Sequence, residues 1–66
     1  MKSYFCYFRD RGRQTPGFEV VQGADDKSAR MLAASLLRRY PARELVEVWE
    51  SARRICVVTR AEARAA

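Results

Sequence analysis

The fold that this sequence predicts is α+β: one helix laid on one face of a four-stranded antiparallel sheet, in the order ββαββ. Two observations point there. Residues 26–40 carry apolar side chains at helical spacing, and two segments on either side read as short strands rich in aromatic and β-branched residues. Size sets the ceiling. A chain of 66 residues buries only about 60% of its unfolded surface. One helix on one sheet is close to the most it can build.

The helix is the clearest element. Ala29, Leu32, Ala33, Leu36, Leu37 and Tyr40 recur at the spacing of a single helical stripe. Asp25 or Asp26 can cap its start by accepting from a free backbone N–H. Acids at the start and Arg38 and Arg39 at the end both suit the helix dipole. Pro41 ends the helix by pushing Tyr40 away from the α region. On this stripe Leu36→Ala is expected to cost about 2–5 kcal/mol, and Arg38→Ala, on the opposite side, little.

The strands follow in order. Residues 3–9, SYFCYFR, are apolar in both phases; Tyr4, Cys6 and Phe8 are assigned to the helix side because the other phase ends in Ser3 and Arg9. Residues 10–17 form a loop by their Gly and Pro content. In residues 18–22, FEVVQ, Phe18 and Val20 are expected to face the helix, with Glu19 and Val21 outside. In residues 44–50, ELVEVWE, Val46 and Val48 share one face, and Leu45, Glu47 and Trp49 the other. Ser51 and Ala52 make the next turn without the Gly or Asn that a tight hairpin favours. In residues 54–59, RICVVT, Ile55 and Val57 are assigned to the core. The expected sheet order is 2-1-3-4. Residues 1–60 form the domain, and 61–66 are expected to fray, being too few for a helix on their own.

Composition narrows the chemistry. Histidine is absent, and the two cysteines, Cys6 and Cys56, form no C-x-x-C. A zinc site or a disulfide scaffold is not expected, and both thiols suit a reducing cytoplasm. The apolar run at 4–8 is shorter than a signal-peptide core or a membrane span, so a cytoplasmic protein off the membrane is expected. The formal charge is +5 and the pI near 9.9, which suits an acidic partner such as nucleic acid. Arg and Ala also have GC-rich codons, so a GC-rich genome accounts for the same bias.

Four stretches, YFCYFRDRG, ADD at the helix start, ELVEVWESARR and ICVV, together resemble a group of small alphaproteobacterial proteins. These share a YxxYFxDxxG opening, an ADDxxA helix start and a VEVWxGxRxV strand pair. The likeness spans nearly the whole chain, and its most specific piece is Val46-Glu47-Val48-Trp49 followed by Arg53. It departs at Ser51, where the pattern often has Gly. The resemblance implies the fold and a bacterial cytoplasm; that group carries no assigned activity.

Catalysis finds no support in these residues. Glu44, Glu47 and Glu50 alternate along a strand and do not converge, Cys6 and Cys56 lack a histidine base, and the three glycines match no phosphate-binding fingerprint. No enzyme, cofactor or metal is expected. The informative feature is the sheet face away from the helix. It is expected to carry Phe5, Tyr7, Leu45, Trp49 and Val58, with Cys56 beside them, and a basic rim of Arg9, Arg11, Arg13, Arg53 and Arg54. So much apolar surface on so small a protein reads as an interaction face, for a homodimer or another protein partner. Two readings compete with it. Single-stranded RNA or DNA could stack on the rings with arginine on phosphate, although the chain lacks the RRM topology and its aromatic signature. Alternatively, arginines lie over the rings and nothing binds.

Overall fold

The computed structural model describes residues 1–10, 12 and 17–65. Its elements are β1 (Lys2–Asp10), β2 (Gly17–Gly23), α1 (Asp26–Arg39), β3 (Arg43–Glu50), β4 (Arg53–Thr59) and α2 (Arg60–Ala65). The sheet is antiparallel throughout with the order β2-β1-β3-β4, as the sequence predicts. Residues 11 and 13–16 of the long loop between β1 and β2, Arg11 and Arg13 among them, lie outside the described residues. Among those described, no helix is long and apolar enough to cross a membrane.

α1 begins where the acids predict. The Asp25 side chain accepts from the Ser28 N–H at 2.8 Å, which satisfies one of the orphan donors of the first turn. Tyr40 leaves the helix with extended backbone just before Pro41. The core between α1 and the sheet is Tyr4, Cys6 and Phe8 of β1, Val46 and Val48 of β3, Val58 of β4, and Ala29, Ala33, Ala34 and Leu37 of α1. The β1 and β3 phases are as expected. Small helix residues let the rod lie close, while the large side chains come from the strands.

The helical stripe is displaced from its expected position. Leu32 and Tyr40 are exposed, Leu36 is half-buried, and Ala34 is buried instead. Ala34 is covered by the C-terminal segment, for which the sequence predicts fraying but which folds as α2 against α1. Ala63 is fully buried there. Arg30, Ala34 and Arg38 line the α1 row beneath it. Arg30 bridges to Glu62 at 3.8 Å, and Arg38 donates to the Ala63 carbonyl at 2.7 Å. Arg38 is exposed, as the sequence predicts, yet holds this one contact. Thr59 and Glu62 form a reciprocal cap: the Thr59 N–H donates to the Glu62 carboxylate, and the Glu62 N–H donates to the Thr59 hydroxyl. That is the Thr-x-x-Glu box, readable from the sequence.

β2 has the opposite phase to the one expected, and β4 takes the opposite phase from Cys56 on. β2 pairs Tyr4 with Val21, Cys6 with Glu19 and Phe8 with Gly17. Val21 and Glu19 therefore face the helix side, and Phe18 and Val20 stand on the open face. The glycines at the strand ends belong to the helix-side phase. A Cβ at Gly23 would sit 3.3 Å from both the Ala29 nitrogen and the Tyr4 ring, and one at Gly17 would sit 3.2 Å from the Arg43 guanidinium. In β4 the turn sets Glu50 opposite Arg53 and Trp49 opposite Arg54, but Val48 then faces Cys56. The skipped residue, Ile55, forms a bulge. Ile55 packs against the core as expected, and from there on the phase is shifted by one. Cys56 and Val58 turn inward and Val57 outward.

Candidate interaction face

The bare side of the sheet is a mixed aromatic and aliphatic surface. The strand register places Val20, Phe5, Trp49 and Arg54 in one row across it, and Phe18, Tyr7, Glu47 and Val57 in the next. Arg9 and Leu45 lie in the row beyond. Phe5, Tyr7, Leu45 and Trp49 thus share this face, as the sequence predicts. Val58 does not; it is 2% exposed and part of the core. Val57 stands in its place because of the bulge at Ile55. Phe18 and Val20 were missed. Their signal was the parity they oppose, that of Gly17 and Gly23.

The rings are packed among themselves. Phe18 stacks on Phe5 with centroids 6.1 Å apart and planes 12° apart, and leans on Tyr7 at 5.1 Å. These spacings are those of favourable aromatic pairs. Even so, Tyr7, Phe18 and Val20 remain about half exposed, at 45%, 51% and 49%. The Trp49 indole N–H donates to the Glu47 carboxylate at 3.1 Å, which holds the acid against the ring plane of the face.

The basic rim is only partly assembled. Arg9 and Arg54 stand on this face. Arg53 turns to the helix side, where it binds Glu50 at 2.6 Å and Asp26 at 3.4 Å. Asp26 also accepts from the Tyr4 hydroxyl at 3.1 Å. Burial and the neighbouring Asp26 push the Tyr4 phenol above its ordinary pKa. Arg11 and Arg13 lie outside the described residues. Among the described strand residues the face carries Arg9, Arg54 and Glu47, so it is close to neutral.

The other polar clusters brace the fold. Arg43 sits between the rings of Phe8 and Tyr40, with its guanidinium carbon 3.8 Å and 4.2 Å from their centroids, and pairs with Glu19 at 3.0 Å. That pairing lets an acid stand on the helix side of β2. Cys6 and Cys56 both point to the helix side, one on each side of Val48. Two strand spacings separate them, roughly 10 Å, beyond disulfide reach, and both are free. Burial pushes the Cys6 thiol up to about 11, far from the reactive thiolate range. Among the described residues no group of three His, Cys, Asp or Glu gathers in a way that could hold a metal ion. No known protein family, curated protein or solved structure matches the chain.

Proposed function

We propose that this protein is a non-catalytic interaction module whose open sheet face docks an apolar protein surface, a second copy being the simplest occupant. One observation carries the reading. Tyr7, Phe18 and Val20 stay about half exposed in a cluster with Phe5 and Trp49, whereas a monomer gains by covering such rings. Among the described strand residues the face sets only Arg9 and Arg54 against Glu47, a weak positive balance that favours contact with protein over contact with phosphate. Trp49, with its indole tied to Glu47, has the character of an anchor at an interface centre. A reducing bacterial cytoplasm suits the two free thiols.

Sedimentation over a concentration range tests this. Association that is lost in Tyr7→Arg and Trp49→Arg, with the fold intact by circular dichroism, is the expected result. A wild-type chain that stays monomeric at high micromolar removes self-association through this face.

Single-stranded nucleic acid is the second reading, favoured by Arg9 and Arg54 flanking the rings. Titration with short RNA and DNA at low salt, read by Trp49 fluorescence, addresses it. Phosphate contacts weaken as salt rises.

A further inference from the structure

Besides Tyr7 on the open face and Tyr40 at the end of α1, the large exposed apolar side chains are Met1, Phe18, Val20, Met31 and Leu32, at 93%, 51%, 49%, 63% and 41%, and these five lie on the β2 side of the molecule. Phe18 and Val20 stand on the open face of β2. Met31 and Leu32 stand above it on the helix layer, where with Met1, Gln22 and Ala24 they line an open groove of about 430 Å³. Between these two apolar flanks runs the outer edge of β2, which no described strand pairs. An outer strand with apolar flanks on both layers is a template for another strand.

We infer that β2 pairs antiparallel with β2 of a second copy, joining the two sheets into one of eight strands. A second copy suits this edge for three reasons. The free N–H and C=O groups of the edge bond to water in the lone chain and form ladder hydrogen bonds when another strand pairs with it. A two-fold axis perpendicular to the sheet puts both helices on the same side, so Met31 and Leu32 meet their mates above while Phe18 and Val20 meet theirs below. The register is also self-complementary. Val20 is the middle residue of β2, so setting Val20 opposite Val20 pairs all of Gly17–Gly23. Sliding two residues one way shortens the ladder and brings Glu19 opposite Glu19, which like-charge repulsion disfavours; sliding the other way shortens it equally.

The contact is small. Seven residues give an edge of roughly 24 Å, and the molecule is 15 Å across its thin axis. The product is a few hundred Å² per copy, in the range of weak association. Each copy carries +5, so added salt strengthens the pairing by screening. That is the opposite sign to phosphate binding. Phe18 and Val20 belong to both this edge and the open face, and the two associations are told apart by Met31, remote from the open face, and Trp49, remote from the edge.

Disulfide trapping tests it. Residues directly opposite in an antiparallel pair have Cα atoms about 4.5–5.5 Å apart, inside disulfide range. On a Cys56→Ala background, Val20→Cys is expected to give a covalent dimer under mild oxidation, in higher yield as salt rises, whereas Thr59→Cys on the opposite edge is not. Adding Met31→Glu should cut the yield at least several-fold; adding Trp49→Arg should leave it unchanged. No Val20→Cys dimer in a folded chain, equal trapping at Thr59, or indifference to Met31→Glu overturns the pairing. Loss with Trp49→Arg alone assigns the dimer to the open face and likewise overturns it.

Discussion

Arg60 donates from its guanidinium to the Leu37 carbonyl at 2.8 Å, across 23 positions of chain. It also donates to the carbonyls of Tyr40 and Arg43. The last carbonyls of a helix have no partner within it, and here one side chain from the start of α2 serves two of them. Charged hydrogen bonds contribute about 1.5–3 kcal/mol each when broken singly. Arg60→Ala is expected to lower stability by about 2–4 kcal/mol, with Arg60→Lys recovering only part, since an ammonium cannot reproduce the planar fork. Urea melts of the three chains check this.

The displaced stripe relocates the most sensitive leucine. Leu37 is fully buried and Leu32 is 41% exposed. Leu37→Ala should cost about 3–5 kcal/mol and Leu32→Ala about 1 kcal/mol or less, with Leu36→Ala between them. Equal midpoint shifts for Leu37 and Leu32 would contradict the helix orientation.

A third change should stabilise. Ser51 has φ 54° at the first central position of the two-residue β3–β4 turn, and Ala52 is not in the left-handed region. That is the type II′ pattern, which favours glycine there. Ser51→Gly relieves the strain of a left-handed L-residue and gives back part of the gain through the more flexible unfolded chain. A net rise of about 0.5–1 kcal/mol is expected in the urea midpoint, without change in the sheet.

Titration behaviour has opposite signs at the two ends of the pH scale. Hydrogen bonds from Ser28 hold Asp25 below the usual carboxylate range, and those from Thr59 do the same for Glu62. Their contribution is complete above the unfolded pKa of about 4 and is lost as pH falls through the depressed folded values. The Cys6 thiol is raised by burial to about 11, and the Tyr4 phenol is raised as well. Their contribution is complete below their unfolded values and is lost as pH rises through the folded ones. Thermal melts from pH 2 to 12 should fall away on both sides. Asp25→Asn, which keeps a capping oxygen, should flatten the acid side without much loss at pH 7.

How much of this was legible depends on whether a local pattern had a rival. The Asp25 cap, the helix bounds and the inward Tyr4, Cys6, Phe8, Val46 and Val48 were readable because neighbouring residues agreed. In FEVVQ both phases offer apolar residues, and local pattern cannot rank them. The parity of Gly17 and Gly23 agrees with the observed phase, since a Cβ at either end would press on Arg43 or on Tyr4 and Ala29. The Thr59–Glu62 box was also written in the chain, but a six-residue helix is unstable in isolation and gains its stability from burying Ala63 on α1.

Local patterning by itself determined the four strands, α1 and their succession along the chain, since hydrophobic period, capping and short connections act between near neighbours; setting β1 beside β3 took a pairing across the whole α1 crossover. Packing decided which faces were buried. The bulge at Ile55, the anchoring of Glu19 by Arg43 and the docking of α2 each depend on contacts between segments far apart in the chain. Those contacts put Val58 in the core, and Phe18, Val20 and Val57 on the open face.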